Sequence, residues 1–202
     1  MNKPLIEEKI NTFIDELLEL VGVQSKDEPY EAYFPINLNN GKLRITLPFA
    51  SISYPYNSGN PHKGLDYAPF AGSEGQAIFS LLNGRVYKSV MQNTGLGNYV
   101  VVESKSPIDC ELSSLKGRSV TIEKGSVVYN LYAHMSKVAV KSGDTVKAGS
   151  RIGSIGNTGY SKGPHVHHEL RIDDYDKRVV VDPLEYIGEL LNKTGSDWYF
   201  ET

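Results

Sequence analysis

The sequence predicts a mainly β domain with helix confined to its two ends. Nineteen glycines, ten prolines and thirteen tyrosines in 202 residues favour strands joined by tight turns over a helical bundle. Only residues 1–22 carry a clear amphipathic helical pattern, and a second short helix is expected over residues 183–192. In the first stretch Leu5, Ile6, Ile10, Phe13, Ile14, Leu17, Leu18 and Val21 recur at three and four, with Glu7, Glu8, Asp15 and Glu16 between them. Pro4 and Gly22 suit its two ends. The stretch lacks the basic start, unbroken apolar run and small-residue cleavage site of a signal peptide, and it is too interrupted to span a membrane. Its acidic face disfavours a membrane surface, so it is expected to pack on the domain or to assemble with a partner.

Residues 23–40 then read as a connector, residues 41–192 as the main domain and residues 193–202 as a tail. The formal net charge of −3 gives no basic footprint for nucleic acid. The single cysteine forbids an internal disulfide, and a core of this size folds without one.

All five histidines fall inside three short motifs. These are Pro61-His62-Lys63-Gly64-Leu65-Asp66, then Tyr132-Ala133-His134-Met135-Ser136, then Gly163-Pro164-His165-Val166-His167-His168-Glu169. Neutral imidazoles with one carboxylate suit a catalytic zinc, which takes three protein ligands and keeps one position open for water. His165 and His167 flank a β-branched valine, so a strand is expected there. On a strand they share one face, while Val166 and His168 point to the other. Glu169 has the parity of His167 and is a candidate partner for it. His62 and Asp66 are four apart, but Pro61, Gly64 and Pro69 around them place the pair on a loop entering a strand. A zincin-type His-Glu-x-x-His helix is absent.

The ordered set His-x-Gly-x-Asp, Tyr-x-His and Gly-Pro-His-x-His resembles the lysostaphin/LytM-type zinc endopeptidases that cut peptidoglycan cross-links. Residues 41–49 resemble the strand that opens that family's domain, residues 97–102 its central strand and residues 181–184 its closing segment, so the likeness covers about residues 41–187. It implies a compact antiparallel β-sheet, barrel-like domain. It also implies one Zn2+ per chain on His62, Asp66 and His167, catalytic roles for His134 and His165, and peptidoglycan peptides as substrate. The place of action it implies is the bacterial cell wall, with the route to it left open.

Two departures stand out. His168 occupies a position that is usually aromatic in the family. Residues 104–127 are longer than usual and are expected to form an extra hairpin or loop; since loops around the groove select the substrate in the family, this insertion bears on which bond is cut. The tyrosines at 54, 56, 132 and 160 lie near the motifs and are candidates to line that groove.

Residues 138–159 resemble the paired hairpins of biotinyl and lipoyl carriers. No suitably flanked lysine stands at a hairpin tip, so these turns read as scaffold. A rival of another class is a virion or envelope protein, or a hydrolase activator, that keeps this fold without turnover. The full set of ligands and both further histidines favour the enzyme.

Overall fold

The computed structural model describes residues 32–37, 43–52, 59–69, 72–173, 175–176 and 179–194. The helix expected over residues 1–22 lies outside them, as do residues 195–202 of the expected tail. Thirteen strands and one helix follow in order. They are β1 (Leu43–Leu47), β2 (Leu65–Pro69), β3 (Ala77–Phe79), β4 (Gly84–Val90), β5 (Asn98–Lys105), β6 (Cys110–Ser113), β7 (Ser119–Ile122), β8 (Val127–Met135), β9 (Lys137–Val138), β10 (Thr145–Val146), β11 (Arg151–Ser154), β12 (Val166–Ile172), β13 (Val179–Val181) and α1 (Pro183–Thr194).

The main sheet is antiparallel and runs β1-β2-β12-β8-β5-β4-β10, with β13 also paired to β12. The first half of β12 pairs with β2 and the second half with β13, while β8 runs along its other edge. A three-stranded sheet, β3-β11-β9, and the hairpin β6-β7 complete the described strands.

Strand alternation divides the main sheet into two faces. Tyr67, Val100, Val102, Val128, Tyr132, Val166 and Leu170 point into one core cluster with Ile78, Ile152 and Ile155. Fully burying a side chain of this size contributes about 1.5–3 kcal/mol. The opposite face carries Val101, Leu131 and Ala133 under Tyr129 and Tyr175, and it continues into the histidine motifs.

Residues 32–37 lie inside the stretch expected to be a connector, yet they are part of the domain's packing. Phe34 is 2% exposed and Ile36 fully buried, and Ile36 bridges to Ile78. The extra hairpin expected within residues 104–127 is present as β6-β7. It docks on β13 and α1: Leu115 donates to the Val180 carbonyl, Asp182 donates to that of Ser113, and Glu185 accepts from Ser113. The hairpin lies apart from the histidine motifs. It follows the Lys105 end of β5, whereas the histidines gather at the Asn98 end, roughly 20 Å away along seven residues of strand.

Candidate metal centre

Asp66 and His167 are direct cross-strand partners in the β2–β12 ladder. Side chains opposite one another on one face of an antiparallel pair lie close enough to interact. The Asp66 Oδ1 to His167 Nδ1 distance is accordingly 2.8 Å. His62 enters from the loop before β2, its backbone tied to Ser51 and Ala50. Its Nε2 lies 3.2 Å from Asp66 Oδ1 and 3.0 Å from His167 Nδ1. All three residues are buried, and their ligand atoms converge on one point.

Hydrogen bonds on the far side of each ring fix which nitrogen faces that point. His62 Nδ1 donates to the Pro48 carbonyl at 3.0 Å, which leaves the Nε2 lone pair directed at the trio. His167 Nε2 lies 3.2 Å from Glu169 Oε1, which leaves Nδ1 directed inward. A tetrahedral ion with ligands at 2.0–2.1 Å would separate ligand atoms by about 3.3 Å, close to the spacing observed.

Gly64 supplies a further requirement. A Cβ there would stand 2.7 Å from His167 Cε1 and 2.6 Å from the His168 carbonyl oxygen. Only glycine lets the loop close over the His167 ring. The sequence marked Gly64 as a loop former, and its role as a cradle becomes visible only with the fold.

His165 and His134 complete the cluster. His165 shares the face of His167, as strand parity predicts, and is bridged through its backbone to Gly156. Its Nδ1 donates to the Gly163 carbonyl at 2.8 Å, while Nε2 faces Asp66 Oδ2 at 3.4 Å and makes no hydrogen bond.

His134 reaches this face by another route. Alternation from Tyr132, which is in the core, would turn His134 inward as well. However, β8 carries one extra residue against β5, since Asn98 pairs with Met135 but Val100 pairs with Tyr132. His134 has a φ of 59°, and this bulge re-aims its ring toward the histidines. The ring stands 4.9 Å from that of His165 and 5.7 Å from that of His167, centroid to centroid. Its Nδ1 donates to the Thr158 carbonyl at 2.8 Å.

The electrostatics separate two kinds of histidine. Burial, then the neighbouring His167 and His165, lower the His134 pKa to about 4, and burial also lowers that of His165. Both rings are neutral near pH 7. Burial acts downward on His167 too, but its hydrogen bonds to Asp66 and Glu169 prevail and raise its pKa to about 9 in the metal-free chain. Asp66 is held well below the usual carboxylate range. Burial opposes this, but hydrogen bonds from His167 and His62 prevail.

Behind the strand, His168 is fully buried. It stacks on Tyr132 at 4.7 Å and places Nε2 3.0 Å from Asn130 Oδ1, with Tyr67 Oη 3.3 Å from its Nδ1. The position noted as unusual is thus a polar contact inside the core. Tyr132 is also core, which removes it from the candidate groove-lining tyrosines. Tyr160 is 64% exposed, and Tyr54 and Tyr56 lie outside the described residues.

Buried histidines on an antiparallel sheet, converging with one aspartate, define a metallopeptidase-like centre. The model of Peptidase family M23 matches residues 108–183. It is 34% identical over 133 residues to a protein of Haemophilus influenzae named Uncharacterized metalloprotease, covering 61% of this chain and 23% of that one. It is 31% identical over 130 residues to lysostaphin of Staphylococcus simulans, covering 64% of this chain and 22% of that one. It is 36% identical over 110 residues to the peptidoglycan DD-endopeptidase ShyA of Vibrio cholerae, covering 54% and 20%. The chain therefore spans less than a quarter of the length of these relatives. Among solved structures, the lysostaphin catalytic domain from S. simulans superposes with a TM-score of 0.54 at 26% identity, covering 72% of this chain and 92% of that one. A zinc-containing peptidase from Vibrio cholerae superposes with a TM-score of 0.50 at 27% identity, covering 71% and 37%.

Proposed function

We propose that this chain is a zinc-dependent endopeptidase that hydrolyses an amide in the peptide portion of bacterial peptidoglycan. The observation that carries this reading is the convergence of His62 Nε2, Asp66 Oδ1 and His167 Nδ1 beside two neutral histidines. The donor set fits zinc: two imidazole nitrogens and one carboxylate oxygen, on a spacing near that of a tetrahedral site. The unpaired, buried Nε2 of His165 beside Asp66 Oδ2 marks a polar position left for a further group.

Bound there, zinc supplies a Lewis acid and a water of lowered pKa. The chain's own residues supply the proton chemistry. His134 and His165 each anchor Nδ1 on a backbone carbonyl, so each presents Nε2 to the site. In their neutral form these nitrogens accept a proton from the attacking water. Once protonated, they donate to the developing oxyanion or to the leaving amine. Burial excludes bulk water and strengthens these interactions.

The substrate class is supported by the relative named a peptidoglycan DD-endopeptidase, and the metal by the zinc-containing peptidase of similar fold. The trio itself contains one carboxylate, not the pair on which most glycosidases rely. Purified chain loaded with zinc is expected to release new amino termini from isolated peptidoglycan without new reducing sugar ends, and chelation should stop it. Walls of several chemotypes that yield no new termini would replace this reading with a non-catalytic wall-binding protein.

A further inference from the structure

Three segments meet beside His134. The end of β8 carries His134 and Met135, the run into β5 carries Leu96, Gly97 and Asn98, and the loop between β11 and β12 carries Thr158. The left-handed φ of 59° at His134 is a conformation that a non-glycine residue keeps only where its surroundings over-determine it. Here they do. The His134 amide donates to the Leu96 carbonyl at 2.9 Å, and its carbonyl accepts from the Thr158 amide at 3.4 Å. Its ring meets the Thr158 carbonyl at 2.8 Å. The Thr158 hydroxyl then locks the three segments to one another. It accepts from the Asn98 amide at 3.0 Å and donates to the Met135 carbonyl at 2.9 Å, acting in both directions at once. Asn98 Nδ2 donates to the same Met135 carbonyl at 2.9 Å, and the Tyr160 amide donates to the Gly95 carbonyl at 2.8 Å. Gly97, with a φ of 62°, lies so close that a Cβ on it would collide with the Thr158 carbonyl and hydroxyl.

We propose that Thr158 is a positioning residue for His134: its hydroxyl clasps the loop to β5 and β8, and the clasped carbonyl holds the ring beside the metal centre. The clasp decides where the ring stands. Thr158 itself takes no part in the chemistry, because its hydroxyl is engaged with backbone on both sides. A displacement of about 1 Å in a reacting group can cost on the order of 10²-fold in rate, so a loosened loop is enough to matter. The bulge in β8 turns His134 toward the site, and the clasp keeps it there. The side chain required is specific. Serine keeps both bonds, whereas valine keeps the shape but leaves the Asn98 amide without its acceptor.

This inference rests on the proposed hydrolysis, with His134 acting on the substrate, and the test separates the claims. Initial rates of amino-terminus release from soluble peptidoglycan fragments are measured on zinc-loaded, full-length chain and its variants, with zinc content read on the same samples. Thr158→Val should keep its zinc and its KM, while kcat falls about 10–100-fold. Thr158→Ser should recover kcat to within about threefold of the unaltered chain. In a His134→Ala background, Thr158→Val should add no further loss beyond about threefold, since a residue that acts through His134 has nothing left to position. A merely structural threonine would slow both backgrounds equally, and that result would overturn the proposal. So would zinc lost in step with rate, or Thr158→Val at full rate. A loss of about tenfold or more in Thr158→Ser, which keeps both bonds, would overturn it even with Thr158→Val too unstable to assay. An unaltered chain without turnover removes the hydrolase reading and this inference with it, whereas Thr158→Val at full rate removes the inference alone.

Discussion

The two faces of β12 use the same residue type in opposite ways. On the front, His165 and His167 meet acids, carbonyls and one another around a point where ligand atoms converge. On the back, one residue further along, His168 stacks on Tyr132 and shares its nitrogens with Asn130 and Tyr67. Burial is similar on both sides, so burial alone does not mark a functional histidine. The distinction lies in the partners. A charged carboxylate raises the pKa of His167 to about 9, whereas burial followed by the charge of His167 lowers that of His168 to about 3.

Substitutions on the front should have the larger effects. Asp66→Ala removes the oxygen that faces both ligand histidines, and zinc stoichiometry should fall from one per chain to near zero. Metal analysis after dialysis reads this directly, and full zinc content in that variant would break the assignment. Next, His134→Ala and His165→Ala should retain the metal and lose on the order of 10²-fold in turnover. Measuring zinc content and rate on the same samples separates the two roles, and near-normal turnover in either variant would count against that residue.

The back face should respond through stability. The unfolded chain accepts a proton on His168 near pH 6.5, while the folded chain accepts it only near pH 3. Stability tied to neutral His168 is therefore fully present above about pH 6.5 and is lost as pH falls toward 3. His168→Phe should keep zinc stoichiometry. It should cost about 1–3 kcal/mol at neutral pH, where Asn130 and Tyr67 lose a partner. Its Tm should then fall less between pH 7 and pH 4 than that of the unaltered protein, compared in metal-free samples. An equal acid slope would place the acid sensitivity in other groups.

This comparison also shows what the sequence could and could not reveal. Parity around Val166 separates His165 and His167 from His168, because a regular strand admits one arrangement. The Asp66–His167 encounter needed the strand register, which no local pattern encodes. His134 is the instructive case. Its motif marked it for the site, but alternation from Tyr132 pointed it into the core, and only the extra residue in β8 turned it outward. Gly64 and the carbonyls of Thr158 and Gly163 are invisible for a related reason: they act through close approach and backbone, which residue type does not announce. The hairpin over residues 110–122 was legible as an insertion, but its docking on β13 and α1 was not.

The central claim is that one metal ion sits on the front of β12, at the meeting point of His62, Asp66 and His167. Anomalous diffraction at the zinc edge, from crystals of chain loaded with one equivalent of zinc, tests it most directly. The account predicts a single strong peak about 2.0–2.1 Å from His62 Nε2, Asp66 Oδ1 and His167 Nδ1. A peak coordinated instead by His134 or His165, or one lying away from β12, would contradict it.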